Sequence, residues 1–141
     1  MPWRDGSGAG FTSGRPWLRL ADDASTRNVA AQRADPDSVL NCYRRLLAAR
    51  RASKALHRGS FERLPTSDGE VIAWRRRSAD EEAVVVLNCA DRPAEVSVGS
   101  APGHVARAVV GTHLDPPDVY ANAGQLRLRP FEGTIAIGSV G

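Results

Sequence analysis

The run Ala83-Val84-Val85-Val86-Leu87-Asn88 decides the fold of this chain of 141 residues. Its apolar residues are consecutive, and the β-branched valines among them favour an extended strand over a helix. A strand with one wet face alternates apolar and polar side chains, whereas a strand buried on both faces is apolar throughout. We therefore predict that 83–88 is a central strand of a sheet.

Other segments around this run have the composition or the period of short strands. Turn signals such as Ser67-Asp68-Gly69 and Asp115-Pro116-Pro117 separate them. Closely spaced strands of this kind predict a mainly β, antiparallel fold over 59–141, either a sandwich or a barrel. The additional predicted strands are 60–64, 71–75, 94–98, 105–111, 125–129 and 134–137.

Upstream of Gly59 the pattern changes to that of a helix. Asp35 is predicted to cap its amino end, and Pro36 suits the first helical position. Arginines occupy the polar face of this helix and are concentrated towards its carboxyl end, where the helix dipole favours cations. We predict one amphipathic helix over 35–58, with a second short turn through Ala55-Leu56. Its apolar stripe consists of Val39, Tyr43, Leu46 and Leu47.

Residues 1–34 are predicted to form an irregular arm. Repeated glycines between Gly6 and Gly14 disfavour a stable helix, and Pro2 and Pro16 interrupt strands. The segment 29–32 is ambiguous between helix and loop. Three large aromatic side chains lie in this arm, namely Trp3, Phe11 and Trp17.

The net charge of +3 does not by itself indicate a nucleic-acid partner. Between Asp35 and Arg63 seven basic residues accompany three acidic ones, so the excess belongs to the helical segment. No apolar run approaches the ~18 residues of a membrane span, and no secretory signal is recognisable. Cys42 and Cys89 are expected to be buried thiols of a cytoplasmic protein, although their pairing remains open. Their spacing predicts no metal site.

Several short motifs resemble the last part of α-glucosidase-type enzymes of the α-amylase superfamily, glycoside hydrolase family 13. The related enzymes are α-glucosidases, oligo-1,6-glucosidases and trehalose synthases. The order of the motifs along the chain is the main support for the resemblance. The motifs are Met1-Pro2-Trp3, Ala9-Gly10-Phe11-Thr12, Pro16-Trp17-Leu18, the segment 28–32, Tyr43-Arg44-Arg45-Leu46, Arg50-Arg51, the segment 84–88 and Leu128-Arg129-Pro130-Phe131-Glu132.

The resemblance implies a division of the chain into three parts. Residues 1–34 would be the remnant of the last barrel loop, 35–58 the last barrel helix, and 59–141 the C-terminal β-sandwich domain. The catalytic carboxylates of such enzymes would lie upstream, so the resemblance implies a non-catalytic, stabilising fragment without catalytic residues or a cofactor. Trp3, Phe11 and Trp17 would either pack the loop onto the barrel or contribute at most one wall of a sugar subsite, where they could contact an α-glucan.

The acidic clusters of this chain offer no substitute for those upstream carboxylates. The clusters Asp22-Asp23, Asp80-Glu81-Glu82 and Asp115/Asp118 lie in polar, turn-like surroundings and are predicted to be solvated. The run Arg75-Arg76-Arg77 precedes the second cluster, which predicts a hairpin with cross-strand ion pairs. Glu132 is predicted to be structural. His57, His104 and His113 are scattered and lie in no nucleophile motif.

Two alternative functions stay open at this stage. One is a free-standing carbohydrate-binding module that uses Trp3, Trp17 or Trp74, although the alternation around Trp74 favours a core position. The other is a nucleic-acid-binding protein that uses the basic surface between Arg44 and Arg77. The expected partner of the helix stripe is the missing catalytic barrel, with self-association as the alternative.

Overall fold

The structure, a computed structural model, describes residues 1–97, 107–116 and 125–140. The chain divides into two compact units, Met1–Arg44 and Arg45–Gly141. None of the helices in the described ranges has the length and hydropathy that a membrane crossing requires.

The first unit contains more regular structure than its sequence predicts. A 3-10 turn covers Ser7–Gly10, and helix α1 covers Val29–Ala34. Asn28 precedes α1 in an extended conformation, and its side-chain oxygen accepts a hydrogen bond from the Ala31 N–H. The prediction of an irregular arm over 1–34 is therefore too simple, because an asparagine cap starts a helix of six residues within it.

The predicted helix over 35–58 is divided into two. Helix α2 covers Val39–Ala52, and helix α3 covers Lys54–Arg58. Ser53 lies between them in an extended conformation, and its hydroxyl accepts a hydrogen bond from the Leu56 N–H. The short second turn through Ala55-Leu56 is thereby confirmed as a separate, capped helix.

The predicted helix start at Asp35-Pro36 is wrong. The Asp35 carboxylate accepts a hydrogen bond from the Asp37 N–H at 2.9 Å, which closes a local turn instead of capping a helix. Ser38 takes the capping position, because its carbonyl accepts from the Cys42 N–H at 2.9 Å and its hydroxyl from the Asn41 N–H at 3.3 Å. An equally good local signal three residues later therefore determines where α2 begins.

Seven strands follow in the described part of the chain, and each corresponds to a predicted one. The predicted boundaries differ from the observed ones by a few residues, mainly because β2, β3 and β7 are longer. The strands are β1 Ser60–Leu64, β2 Val71–Arg77, β3 Glu81–Asn88, β4 Ala94–Ser97, β5 Arg107–Gly111, β6 Gln125–Leu128 and β7 Gly133–Ser139.

These strands form two antiparallel sheets. The larger one has the order β1-β2-β3-β7-β5, and the smaller one pairs β4 with β6. Strand β3 lies in the middle of the larger sheet, as its apolar run predicts. In the register, Val85 lies opposite Trp74 of β2 and Ile135 of β7.

The two faces of β3 belong to different apolar clusters. Val84 and Val86 belong to a cluster that combines buried residues of the larger sheet with residues of β4 and β6, including Leu128. Ala83 and Val85 belong to the other cluster, together with Ala55 and Leu56 of α3. The strand is apolar throughout because each of its faces is covered.

The apolar stripe of α2 remains largely exposed. Val39 is 73% exposed, Tyr43 is 63% exposed and Leu47 is 46% exposed, whereas Leu46 is half-buried. No residue of α2 is fully buried. A helix with this pattern has an apolar face available for further contacts.

Candidate functional site

The aromatic arm of the first unit is the candidate site, and backbone hydrogen bonds determine its shape. The Trp3 N–H donates to the Ala9 carbonyl at 2.8 Å. The carbonyl of Pro2 accepts from the Val29 N–H at 3.1 Å, and that of Trp3 accepts from the Ala30 N–H at 2.9 Å. The segment Pro2-Trp3 is thus bonded both to the turn that follows it and to the start of α1.

The turn around Ala9 requires unusual backbone angles. Gly8, Ala9 and Gly10 have φ of 68°, 50° and 77°, which is the left-handed region that L-residues rarely adopt. A β-carbon on Gly10 would lie 2.8 Å from Cγ of Arg4, so the side chain of Arg4 occupies that space. Ala9 is nevertheless buried, with 2% of its surface exposed. The glycines therefore allow a tight turn that buries Gly8 and Ala9 and leaves Gly10 exposed.

Asn28 connects the polar segment before α1 to the helix itself. Its side-chain N–H groups donate to the carbonyls of Ala24 and Ser25 at 3.2 and 2.9 Å, and its oxygen accepts from Ala31 at 3.0 Å. Asn28 is only 3% exposed. Sequence reasoning missed this residue, although an asparagine directly before a short apolar run is a recognisable capping signal.

The three predicted sugar-contacting residues all lie at the surface of the arm. Trp3 and Phe11 are 46% and 48% exposed, and Trp17 is 94% exposed. Among the described residues, the pair of aromatic rings in contact is Phe61 and Trp74, whose centroids are 6.4 Å apart. Neither belongs to the arm, so the rings of the arm do not stack on one another. The arm offers separate aromatic faces, and their role in sugar binding stays a prediction.

The acidic residues of the arm are paired with nearby arginines. Both oxygens of the Asp22 carboxylate lie 2.6 Å from Arg19, and Asp23 lies 3.6 Å from Arg27. All four side chains are at least about half exposed. The prediction that Asp22-Asp23 is a solvated pair fits this arrangement.

The second acidic cluster forms the predicted ion pairs across the hairpin of β2 and β3. Glu82 accepts from Arg77 at 2.7 Å and lies 3.6 Å from Arg75. Glu81 accepts from the Ser53 hydroxyl and the Ala55 N–H at 2.9 and 2.8 Å. The prediction of solvated carboxylates is wrong for Glu82, which is 4% exposed, because the register places it among arginines on a covered strand.

Glu132 is part of a buried charged network. Its carboxylate accepts from the Arg129 guanidinium at 2.6 and 3.1 Å and from the Arg129 backbone N–H at 2.7 Å. Burial alone would raise the pKa of Glu132, but the hydrogen bonds from Arg129 outweigh it and hold that pKa below its ordinary range. At 1% exposure Glu132 faces no solvent, which fits the structural role predicted for it.

Asp115 lies on the outer side of the same arginine. Its carboxylate accepts from the Arg129 guanidinium at 3.1 Å, and this hydrogen bond lowers the pKa of Asp115. Asp115 is exposed, in agreement with its predicted surroundings. Asp118, the other member of the predicted cluster, lies outside the described residues.

In the described part of the chain, the cysteines and histidines form no common centre. Cys42 is half-buried, Cys89 is exposed and the two form no disulfide, so the expectation of two buried thiols is wrong. Within the ranges that the structure describes, no group of three histidine, cysteine or acidic side chains is arranged to hold a metal ion. His57 and His113 lie in this part of the chain, whereas His104 lies outside it.

Comparison with known proteins connects this architecture to carbohydrate enzymes. Residues 1–59 match the family model described as "Alpha amylase, catalytic domain". The chain is 36% identical over 62% of its length to a probable oligo-1,6-glucosidase 2 of Bacillus subtilis, of which it covers 16%. It is 34% identical over 70% of its length to a glucan 1,6-alpha-glucosidase of Streptococcus pneumoniae, of which it covers 18%.

A solved structure gives the same result for the fold. The trehalulose synthase of Pseudomonas mesoacidophila superposes on 97% of this chain with a TM-score of 0.84 and 31% sequence identity. The chain covers 24% of that protein. The chain thus spans between about a sixth and a quarter of the length of the relatives it matches.

These matches identify the class of this protein: it is a sheet-rich, antiparallel chain related to α-amylase-type enzymes. Its homologues are α-glucosidases and oligo-1,6-glucosidases of glycoside hydrolase family 13, and they support that family for this chain.

Proposed function

We propose that the chain is the non-catalytic C-terminal portion of an α-glucosidase-like glycoside hydrolase of family 13. Residues 1–34 would be the last barrel loop, 35–58 the last barrel helix and 59–141 the C-terminal β-sandwich domain. One observation carries the proposal. The match to the catalytic-domain family ends at Gly59, and the first strand begins at Ser60.

In this proposal the helical segment stabilises the enzyme by covering a barrel. Val39, Tyr43 and Leu47 expose their side chains along one stripe of α2. The catalytic portion that the relatives contain in addition would bury this stripe, and self-association is the alternative partner. Cys42 and Cys89 are not joined in a disulfide, which fits a reducing compartment, and on that basis we place the protein in the cytoplasm.

The acidic residues support a non-catalytic role. Retaining glycosidases need two carboxyl groups about 5–5.5 Å apart, one of them a nucleophile and the other an acid/base. Glu82 and Glu132 are buried against arginines, and Asp22 and Asp80 form ion pairs with Arg19 and Lys54. Carboxylates held in this way are suited to stabilising turns and strands.

Hydrolysis and complementation assays test the proposal. The purified chain should release no product from isomaltose or from p-nitrophenyl α-glucoside. Co-expression with the Bacillus subtilis relative truncated before its matched segment should restore turnover. The variant Tyr43→Asp should weaken this rescue, whereas Arg127→Gln, which changes the exposed side of the small sheet, should not. Turnover by the chain alone would overturn the proposal.

A binding module is the second candidate, and the exposure of Trp17 is the observation that favours it. Maltose and isomaltose should then quench or shift the tryptophan fluorescence of the isolated chain in a saturable way. Trp17→Ala should abolish that response, and Trp74→Phe should preserve it, since Trp74 packs against the α3 cluster. A flat titration would remove this candidate and leave the stabilising role.

A further inference from the structure

A concave basic surface lies where the helices of the second unit meet the hairpin of β2 and β3. Its volume is about 700 Å³. The end of α2, both ends of α3 and the turn after β2 contribute to its lining. The ionisable side chains in this concave surface are Arg51, Lys54, His57, Arg58 and Asp80.

The charges in this concave surface do not cancel. The Lys54 ammonium donates to the Asp80 carboxylate at 2.6 Å, and this hydrogen bond raises the pKa of Lys54 and lowers that of Asp80. Lys54 and Asp80 therefore neutralise each other. Arg51 and Arg58 form no ion pair with a carboxylate in the described part of the chain. Two guanidinium groups therefore have no carboxylate partner, and the nearby carboxylate of Glu81 is bonded to Ser53 and the Ala55 N–H instead.

The backbone that carries these arginines is held in place. The Glu81 carboxylate accepts from the Ser53 hydroxyl and the Ala55 N–H, which fixes the junction of α2 and α3 to the start of β3. Arg50 donates to the Leu56 carbonyl at 2.7 Å across the same junction. Ser53 is 2% exposed, so this support is buried beneath the concave surface. Binding would therefore not require the junction to become ordered first.

We propose that this concave surface binds a phosphate group, either as free phosphate or as the monoester of a small sugar. A phosphomonoester carries about −1.5 to −2 charges at neutral pH, and the unpaired guanidinium groups of Arg51 and Arg58 would attract it. Guanidinium groups recognise phosphate oxygens through two parallel hydrogen bonds. This inference does not depend on the proposed role in a glycoside hydrolase.

An extended nucleic acid fits the same region less well. The neighbouring Arg75 and Arg77 on β2 are bonded to Glu62 and Glu82, so they do not continue the positive surface. Nucleic-acid binding needs several phosphate contacts along a stripe, whereas this concave surface suits one anionic group.

A titration of the whole chain with sodium phosphate tests the proposal. At pH 7 and constant ionic strength, adjusted with sodium chloride, phosphate should raise the melting temperature and shift the Nε–H resonances of Arg51 and Arg58 in a saturable way. The double variant Arg51→Gln/Arg58→Gln should bind at least about tenfold more weakly. Arg127→Gln removes one positive charge from the exposed side of β6 and should bind as the wild type does.

The controls separate a binding site from two simpler explanations. Arginines near the carboxyl end of a helix stabilise it without any ligand. If this were their only role, the double variant would lower stability without changing the phosphate response. Non-specific attraction predicts the same loss of binding in Arg127→Gln. Either of these results, or a response that does not saturate, would overturn the proposal.

Separate titrations identify the source of the phosphate group. Glucose 6-phosphate that binds more tightly than inorganic phosphate would indicate a sugar phosphate, and the reverse order would indicate the free ion. Glucose alone should leave the resonances of Arg51 and Arg58 unchanged. A short DNA duplex that shifts them while both phosphate compounds do not would contradict the assignment.

Discussion

The sheets and the aromatic arm are stabilised in different ways. Two apolar clusters cover the two faces of β3, and Leu128, Val86 and Ala136 are fully buried. In the arm, buried residues are few, and hydrogen bonds of Pro2, Trp3 and Asn28 determine the path of the chain. The difference indicates that the sheets depend on the hydrophobic effect, whereas the arm depends on a small number of specific hydrogen bonds.

The largest expected effect is the loss of a buried side chain from the sheets. Leu128→Ala should lower the free energy of unfolding by about 2–5 kcal/mol, because Leu128 is completely buried between β4–β6 and the larger sheet. Urea denaturation followed by circular dichroism measures this change. Leu18→Ala in the arm is the matched control, since Leu18 is 67% exposed, and it should change stability by less than about 0.5 kcal/mol. Equal losses in the two variants would contradict the comparison.

The different origins of stability also explain how much the sequence predicts. The segment 83–88 is identified as a central strand from its composition alone, because burial on both faces leaves a direct trace in residue type. The burial of Glu82 leaves no such trace, since its arginine partners are recognised only once the register of β2 and β3 is known. The start of α2 is missed because Asp35 and Ser38 are both good local caps.

The candidate site is predicted less completely than the sheets. Trp3, Phe11 and Trp17 are correctly expected in an aromatic arm, but the left-handed turn at Ala9 and the bonds of Asn28 are not. The turn at Ala9 is closed by hydrogen bonds between backbone groups, which depend little on side-chain type and give few sequence signals. The Asn28 cap, in contrast, has a recognisable signal that was missed.

The next effect concerns a polar group inside the sheet region. Glu132→Gln should lower the free energy of unfolding at pH 7 by about 1.5–3 kcal/mol. The buried carboxylate of Glu132 accepts hydrogen bonds from Arg129, and the substitution removes its negative charge. Glu95→Gln is the control, since Glu95 is 80% exposed and lies 3.8 Å from Arg127. A similar loss in both variants would show that burial of the Glu132 network contributes little.

The effect of Glu132→Gln should depend on pH. The pKa of Glu132 is lower in the folded protein than its ordinary value of 4.5. The stabilisation is therefore fully present above the pKa of the unfolded chain and is lost as the pH falls through the lower folded pKa. The difference between the wild type and the variant should shrink below about pH 4.5. A difference that stays constant down to pH 3 in urea titrations would contradict this assignment.

A smaller effect is expected for the hydrogen bonds of the arm. Asn28→Ala should destabilise the start of α1 locally by about 1–2 kcal/mol, because it removes the helix cap and the bonds to Ala24 and Ser25. Hydrogen exchange at the Ala31 amide should then be roughly tenfold faster. Asn28→Asp keeps the acceptor for Ala31 but loses the two donors, so its exchange rate should lie between those of the wild type and Asn28→Ala. Unchanged exchange in Asn28→Ala would mean that apolar contacts hold the arm instead.

The smallest effect is expected for exposed ion pairs, and it should be the same in the arm and in the sheets. The difference between these two regions therefore concerns only their interiors. Arg19 pairs with Asp22 in the arm and Arg127 pairs with Glu95 on the sheet, and all four side chains are at least 76% exposed. Exposed ion pairs gain little because water screens them and because ordering long side chains costs entropy. Arg19→Gln and Arg127→Gln should each change the free energy of unfolding by less than about 0.5 kcal/mol. A larger loss in Arg19→Gln that disappears in 1 M salt would mean that surface charge, as well as backbone bonding, stabilises the arm.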